Sequence, residues 1–158
     1  MAVKVAVVGS YNGGFTLQAP RLPVVGETIL GTGYVEGPGG KGSNQAIAAA
    51  RLGAEVHFIG CIGQDRQGDA ALALWEAEGV HVRVRRDPKA HTGVGAIFLF
   101  PDGDNAIVVA PGANARLGPE DVDLMAEAIT DCQTLLPRLE IPGETALHAA
   151  RLAKAHDV

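Results

Sequence analysis

Residues 3–8 read Val-Lys-Val-Ala-Val-Val, β-branched and almost continuously apolar, and residues 56–62 repeat that character. Such runs are the mark of strands covered on both faces in a parallel sheet. Gly9 closes the first run. Residues 42–52 bring Ala46, Ile47, Ala49 and Ala50 to one side of a helix, small enough to pack closely on a sheet, and Gly53 supplies a left-handed stop. A second helix spans residues 69–78 and closes at Gly79, with Trp75 and Leu72 directed to the core.

Residues 28–34 read as a shorter strand interrupted by glycines, which assigns them to a separate, twisted surface sheet. Residues 91–100 and 105–109 are strands joined by Pro101-Asp102-Gly103-Asp104, and this turn chemistry makes them a β-hairpin. A helix over 119–130 with Pro119 in its first turn, a strand over 132–136 and a helix over 143–156 complete the alternation. The order predicts a layered α/β unit: a parallel sheet with flanking helices, plus a small β layer that acts as a lid. In open parallel sheets ligands gather at the carboxyl ends of the strands. That rule points to the Gly9-Ser10-Tyr11-Asn12 loop and to Glu140, facing one crevice.

Composition narrows the function. The chain has 158 residues, 47% hydrophobic and 20% charged, with a net charge of −5. That suits one domain with a buried core and no general attraction to nucleic acid or anionic lipid. Arg83, Arg85, Arg86 and Lys89 form the one short basic run, which reads as a charge-defended edge strand. Cys61 and Cys132 are far apart, without a CxxC pair, and are expected as buried, reduced thiols. His57, His81, His91, His148 and His156 show no metal-ligand spacing. No apolar run approaches the ~20 residues of a membrane helix, and residues 1–9 lack the features of a signal peptide. A cytoplasmic location, with no membrane partner, is the expectation.

Chemistry concentrates at Gly37-Pro38-Gly39-Gly40-Lys41-Gly42-Ser43-Asn44-Gln45-Ala46. Gly39 and Gly40 carry no Cβ, so backbone N–H groups there approach a small ligand directly, and the helix that follows adds its positive end. A P-loop needs glycine six positions before the lysine and Ser or Thr after it, where this chain has Val35 and Gly42. A dinucleotide fingerprint beginning at Gly31 and Gly33 fails at Glu36.

The longer pattern, from Gly39 through Ala46 to Gly53 and Gly63, resembles the N-terminal motif of the PfkB family of carbohydrate kinases. Its wording is similar to ribokinases in particular. Gly9-Ser10-Tyr11-Asn12, residues 23–28, Gly63-Gln64-Asp65 with Gly68, Thr92-Gly93-Val94, Pro111-Gly112-Ala113-Asn114 and Leu139-Glu140 follow in the order of ribokinase landmarks. The resemblance implies a ribokinase-like fold, a layered Rossmann-like parallel sheet with a small β lid. Residues 1–158 would be its N-terminal sugar-binding part, with lid strands within about 12–38 and 91–110 and the C-terminal part absent. It implies a small-molecule sugar bound by Asn12, Gly14, Gly39, Gly40, Lys41, Gly42, Asn44 and Glu140. Lys41 would stand near the transferring phosphoryl group, and the amides of Asn12 and Asn44 and the Glu140 carboxylate suit hydroxyl groups. Tyr11 is either a ring stacked on the sugar or a plain loop anchor. ATP and Mg are implied for a full-length member, with none bound by this chain alone.

Two departures qualify the resemblance. Ribokinases typically carry an aspartate two residues beyond the first motif asparagine, where this chain has Gly14. Losing such a charged partner costs about 1.5–3 kcal/mol, so a sugar other than ribose, or weaker binding, is implied, and an aspartate restored at position 14 is expected to tighten binding. Family members also continue for about as long again and carry a Gly-Ala-Gly-Asp motif whose aspartate is the base. These residues contain no such motif and hence no catalytic base. The expectation is an ATP-dependent sugar kinase of which this chain holds the acceptor half, inactive alone. The alternative is a sugar-binding or interaction module without phosphotransfer. A homodimer through the lid strands or an exposed sheet edge is expected in either case.

Overall fold

The computed structural model describes residues 2–158. In chain order the elements are β1 (Lys4–Val8), β2 (Asn12–Gln18), β3 (Gly33–Gly39), α1 (Lys41–Arg51), β4 (Glu55–Gly63), α2 (Arg66–Ala77) and β5 (His81–Asp87). They continue as β6 (Gly93–Leu99), β7 (Asn105–Ala110), a 3-10 helix (Gly112–Arg116), α3 (Pro119–Leu124), α4 (Glu127–Thr130), β8 (Thr134–Pro137) and α5 (Gly143–Ala155). Two four-stranded sheets result. Sheet A has the order β5-β4-β1-β8 and is parallel throughout. Sheet B has the order β3-β2-β6-β7, with β2 and β6 parallel and the outer pairs antiparallel. This is the layered α/β architecture expected from the sequence, a parallel sheet with a small second sheet.

Alternation along β1 divides the core. Val5 and Val7 face α1 and α2 with Val56, Phe58 and Ile62, whereas Ala6 and Val8 face the opposite layer with Ile59, Val122, Ile129 and Ala149. Trp75 is fully buried and joins three elements at once. Its ring lies 4.5 Å from Phe58 and 5.3 Å from Tyr11, and its Nε1 donates to Ser43 Oγ at 2.9 Å. A buried indole needs that acceptor, and Ser43 on α1 provides it. Both cysteines are buried and free, and burial pushes the Cys61 thiol up to about 11.

Several boundaries differ from the sequence reading. Residues 28–32 are irregular, and the strand expected there lies at Gly33–Gly39, because its register is set by β2, which pairs Gly33 with Gln18 and Gly39 with Asn12. β2 falls within the lid-strand range of about 12–38 implied by the resemblance, but the residue pattern did not single it out, because its Asn12-Gly13-Gly14 start has the composition of a turn. The helix expected over 119–130 is broken into α3 and α4 around Met125 and Ala126, and β8 begins at Thr134 rather than 132. α2 starts earlier than expected, since Asp65 Oδ1 accepts the Gly68 N–H at 2.8 Å and caps it.

The charged edge strand is β5, yet its arginines are more than a solvated border. Arg85 donates from Nε to Asp121 Oδ1 at 2.7 Å and from Nη1 to Asp87 Oδ2 at 2.9 Å. Arg116 Nε reaches Asp87 Oδ2 at 2.7 Å, and the Lys89 N–H meets Asp87 Oδ1 at 2.7 Å. The network clamps the 3-10 helix and α3 onto the edge of sheet A. The Lys89 N–H, followed by the Arg85 guanidinium, holds the Asp87 carboxyl well below the usual carboxylate range.

A carboxylate depressed in this way contributes stability above its unfolded pKa of about 4, and that contribution is lost as pH falls toward the folded value. Asp87→Asn is therefore expected to lower Tm at pH 7, with the gap to the parent narrowing below about pH 4. Calorimetric scans from pH 7 to pH 3 check this. A gap independent of pH would remove the ionised carboxylate from the account.

Candidate functional site

The elements meet where β1 and β8 end and α1 begins. The chain leaves β3 through Gly40, which has φ 90°, a left-handed value that favours glycine. Space adds a second demand, because a Cβ on Gly40 would lie 2.8 Å from Ser10 O and from the Asn12 N. One turn of helix then rests on the loop after β1: the Ser43 N–H donates to Ser10 O at 2.9 Å. A Cβ on Gly42 would lie 2.6 Å from Ser10 N and 2.8 Å from Gly9 Cα, so the helix and loop are in backbone-to-backbone contact.

Glu140, following β8, reaches this junction from the other side. Its Oε2 accepts from Ser10 Oγ at 2.6 Å and from the Lys41 N–H at 2.9 Å, and its Oε1 accepts from Lys41 Nζ at 2.5 Å. The carboxylate thus neutralises the positive end of α1 and ties it to β1. Partial burial pushes the Glu140 carboxyl up, but the Lys41 side chain, the Ser10 hydroxyl and the Lys41 N–H together outweigh it and hold the group below its ordinary value. Asn44 is one turn into the helix rather than its cap, since Gly40 occupies that position.

Sheet B roofs a cavity of about 340 Å³ above this junction. Asn12, Gly14, Gly39, Gly40, Lys41, Asn44 and Glu140 all line it, although Glu140 is 128 positions from Asn12 (140 − 12). Gly42 does not. It is buried against Gly9 and Ser10, so its part is to permit the helix contact, a correction to the expectation that it lines the site. Tyr11 is 2% exposed and packs edge-on against Trp75, so of the two readings it is the loop anchor. A Cβ at Gly14 would lie 2.8 Å from Gly95 O on the neighbouring strand. An aspartate there requires the paired backbones of β2 and β6 to shift.

The sequence reading missed the apolar wall opposite α1, formed by Phe15, Val35, Ile97, Ile107 and Val109. Its signal was present in the alternation of β6 and β7 and in Phe15 and Leu17, but which face turns inward depends on how the two sheets stack. Asn114, named in the sequence only as part of a landmark and given no role, is buried and bonded to Tyr11 and Asn12. The cavity therefore pairs one polar side, bearing amides, a cation and a carboxylate, with one apolar side. That combination suits a small polyhydroxylated molecule with a less polar face. Among the described residues, no group of three or more His, Cys, Asp or Glu is placed to hold a metal ion, and no helix is long and apolar enough to cross a membrane.

Because the Gly42 contact is backbone on backbone, Gly42→Ala cannot be absorbed by a side-chain rotation. It is expected to destabilise the chain by about 1–3 kcal/mol, the usual range for overpacking. Urea unfolding followed by Trp75 fluorescence measures this, and an unchanged midpoint would show that the helix does not need the close approach.

Comparison with known proteins agrees with this geometry. The pfkB family carbohydrate kinase model matches residues 2–158. Ribokinase of Bacillus subtilis (strain 168) is 39% identical over 155 residues, which are 98% of this chain and 53% of that protein. Deoxyribokinase of Salmonella typhi is 35% identical over 155 residues, 98% of this chain and 51% of its own length. Among solved structures, Arabidopsis thaliana ribokinase complexed with ribose and ATP has a TM-score of 0.86 at 33% identity, covering 100% of this chain and 52% of that one. Ribokinase from Giardia lamblia has a TM-score of 0.89 at 30% identity, covering 99% and 47%. The chain spans about half the length of the curated relatives it matches. With the signature residues gathered at one cavity under sheet B and the family model matching from end to end of the described residues, this chain belongs to the pfkB family of carbohydrate kinases.

Proposed function

We propose that these residues form the acceptor-sugar side of an ATP-dependent, ribokinase-like kinase that transfers the γ-phosphoryl group of ATP to a sugar hydroxyl. The observation that carries this reading is the convergence of Asn12, Lys41, Asn44 and Glu140 on one cavity roofed by sheet B. The amides of Asn12 and Asn44 both donate and accept, so each satisfies a sugar hydroxyl in either sense. The apolar wall of Ile97, Ile107 and Val109 takes the C–H face of the sugar and excludes water from the other side. Residues 1–158 are its sugar-binding part, and sheet B serves as the lid.

ATP, with Mg, supplies the transferable phosphoryl group when bound. The residue here that suits its anionic end is Lys41, the one cation lining the cavity, which would meet a phosphoryl group by exchanging its ion pair with Glu140. The cavity's one carboxylate, Glu140, is committed to Lys41 and Ser10 and held ionised by them, which makes it a poor base for a hydroxyl proton. In this reading the 158 residues bind sugar without transferring phosphate, and the base comes from another segment. Gly14 presents no side chain, so a hydroxyl on the sugar edge facing it gains no partner, and a furanose lacking that hydroxyl binds as well as one that has it.

Titration calorimetry with D-ribose, 2-deoxy-D-ribose and D-fructose tests the reading. Saturable binding of a pentose is expected, without ADP formation when ATP is added. Asn44→Ala and Glu140→Gln are each expected to weaken binding by about 3- to 10-fold, the worth of one hydrogen bond. No binding of any of the three, or unchanged affinity in both variants, would overturn it.

A homodimer through sheet B is part of the same proposal. Both edge strands carry exposed apolar residues outside the cavity, Tyr34 on β3 and Val108 on β7. Unpaired edges of this kind recruit a second strand. Light scattering is expected to give twice 16.3 kDa, and a monodisperse monomer at high concentration would contradict the interface.

A further inference from the structure

Asn114 lies on the 3-10 helix, 1% exposed, and is not among the cavity-lining residues. Its amide makes three hydrogen bonds. Oδ1 accepts from the Tyr11 N–H at 3.1 Å, and Nδ2 donates to Tyr11 O at 2.8 Å and to Asn12 Oδ1 at 2.9 Å. The backbone decides which end of this amide is which, since a peptide N–H only donates and a peptide carbonyl only accepts. Asn114 must therefore turn Oδ1 to the Tyr11 N–H and Nδ2 to the Tyr11 carbonyl. Its second Nδ2 hydrogen then faces Asn12, which has to answer with its oxygen. That leaves the Asn12 NH₂ group, on a residue that lines the cavity, with no protein acceptor among the described residues.

We infer that Asn114 is a positioning residue that locks the Asn12 amide with its donor end toward the ligand, so that this corner of the site selects an oxygen lone pair. The ligand's identity as a sugar rests on the function proposed above; the lock itself does not. Its surroundings are built to hold it. A Cβ on Gly93 would collide with both amides, so the pair fits only beside a glycine. The segment before Gly93 is fixed by Asp65, which accepts from the Thr92 N–H at 2.8 Å and from Thr92 Oγ1 at 2.7 Å. The 3-10 helix is fixed in turn by the Ala113 N–H, which donates to His91 O at 2.8 Å. Asn114 cannot turn over without breaking its two buried hydrogen bonds to the Tyr11 backbone, and Asn12 cannot without losing the hydrogen bond from Asn114. With Gly14 side-chain-free, no neighbouring carboxylate relaxes the requirement, and a ring oxygen or an accepting hydroxyl is the group that fits.

Two near-isosteric substitutions in the 158-residue chain separate this from a merely structural role, read by the side-chain amide signals of ¹⁵N-labelled protein and by calorimetry with D-ribose. In Asn114→Asp the carboxylate keeps an acceptor for the Tyr11 N–H but has no hydrogen for Asn12. The Asn12 amide must then turn over and donate inward, so its NH₂ signals should become protected from solvent exchange and D-ribose affinity should fall by about 3- to 10-fold or more. In Asn12→Asp the carboxylate still accepts from Asn114, so the Asn114 NH₂ protons should stay as protected from solvent exchange as in the parent while the affinity falls comparably. Unchanged Asn12 signals in Asn114→Asp, or Asn114 NH₂ protons that lose their protection in Asn12→Asp, would overturn the lock. Should Asn114→Asp fail to fold, Asn12→Asp decides by itself. If the parent binds no D-ribose, the sugar reading falls, while the amide signals still determine whether Asn114 sets the orientation of Asn12.

Discussion

A helix can seat its first turn on the end of a strand only where the facing residues bring no side chains between the two backbones. Here that condition is met by Gly42 against Gly9 and Ser10, with Gly40 making the left-handed turn that delivers the chain to this point. The contact brings the first turn of α1 against the backbone that follows β1. It places the positive end of the helix at the carboxyl edge of sheet A, and it holds β3, which runs directly into Gly40, over the same edge. Glu140 then has a defined target, two N–H or O–H donors and an ammonium group within reach of one carboxylate. Polar residues from β2, α1 and the loop after β8 share a cavity because this single backbone approach fixes all three origins.

Sheet B depends on sheet A through a few joints rather than through a broad core. The chain passes between the sheets after β1, at Gly40, before β6 and after β7, and hydrogen-bonded side chains secure these passages: Asp65 with Thr92, and Asn114 with Tyr11 and Asn12. Beyond them, Val25, Leu30, Tyr34, Val35 and Val108 are mostly exposed. An element with few buried apolar contacts and firm attachment at one end opens as a unit at low free-energy cost. The opposite edge of sheet A behaves otherwise, because the Arg85–Asp87–Arg116–Asp121 network and the buried helices α3 to α5 leave it little freedom. The buried contacts lie under the cavity and the exposed apolar residues above it.

How much of this was legible in the sequence varies with the range of the interaction. The core strands β1 and β4 were readable because burial on both faces leaves an uninterrupted apolar run, and α1 was readable from its small-residue face and the Gly53 stop. The residue pattern did not mark β2 within the expected lid range, because Asn12-Gly13-Gly14 is turn-like by composition; it is a strand because β3 and β6 pair with it on both sides. Residues 28–34 carry β-branched character, yet the strand forms further on, where β2 can supply partners. Site residues stood out where they sit in a dense local motif, as Lys41 and Asn44 do. Gly42 belongs to the same motif, but only the placement of the Gly9–Ser10 backbone shows that it packs rather than lines the cavity.

The amino-acid order alone determined the alternating α/β pattern, the two-sided burial of the parallel strands, the β6–β7 hairpin and the glycine-rich entry to α1. All of these rest on local periodicity and turn chemistry, which act over a few residues. Tertiary structure decided the rest. The Glu140 carboxylate meets Ser10 across 130 positions, and Asn114 meets Tyr11 across 103. No local preference encodes a hydrogen bond between such partners. They find one another because the packing of the two sheets brings segments distant in the chain within hydrogen-bonding distance.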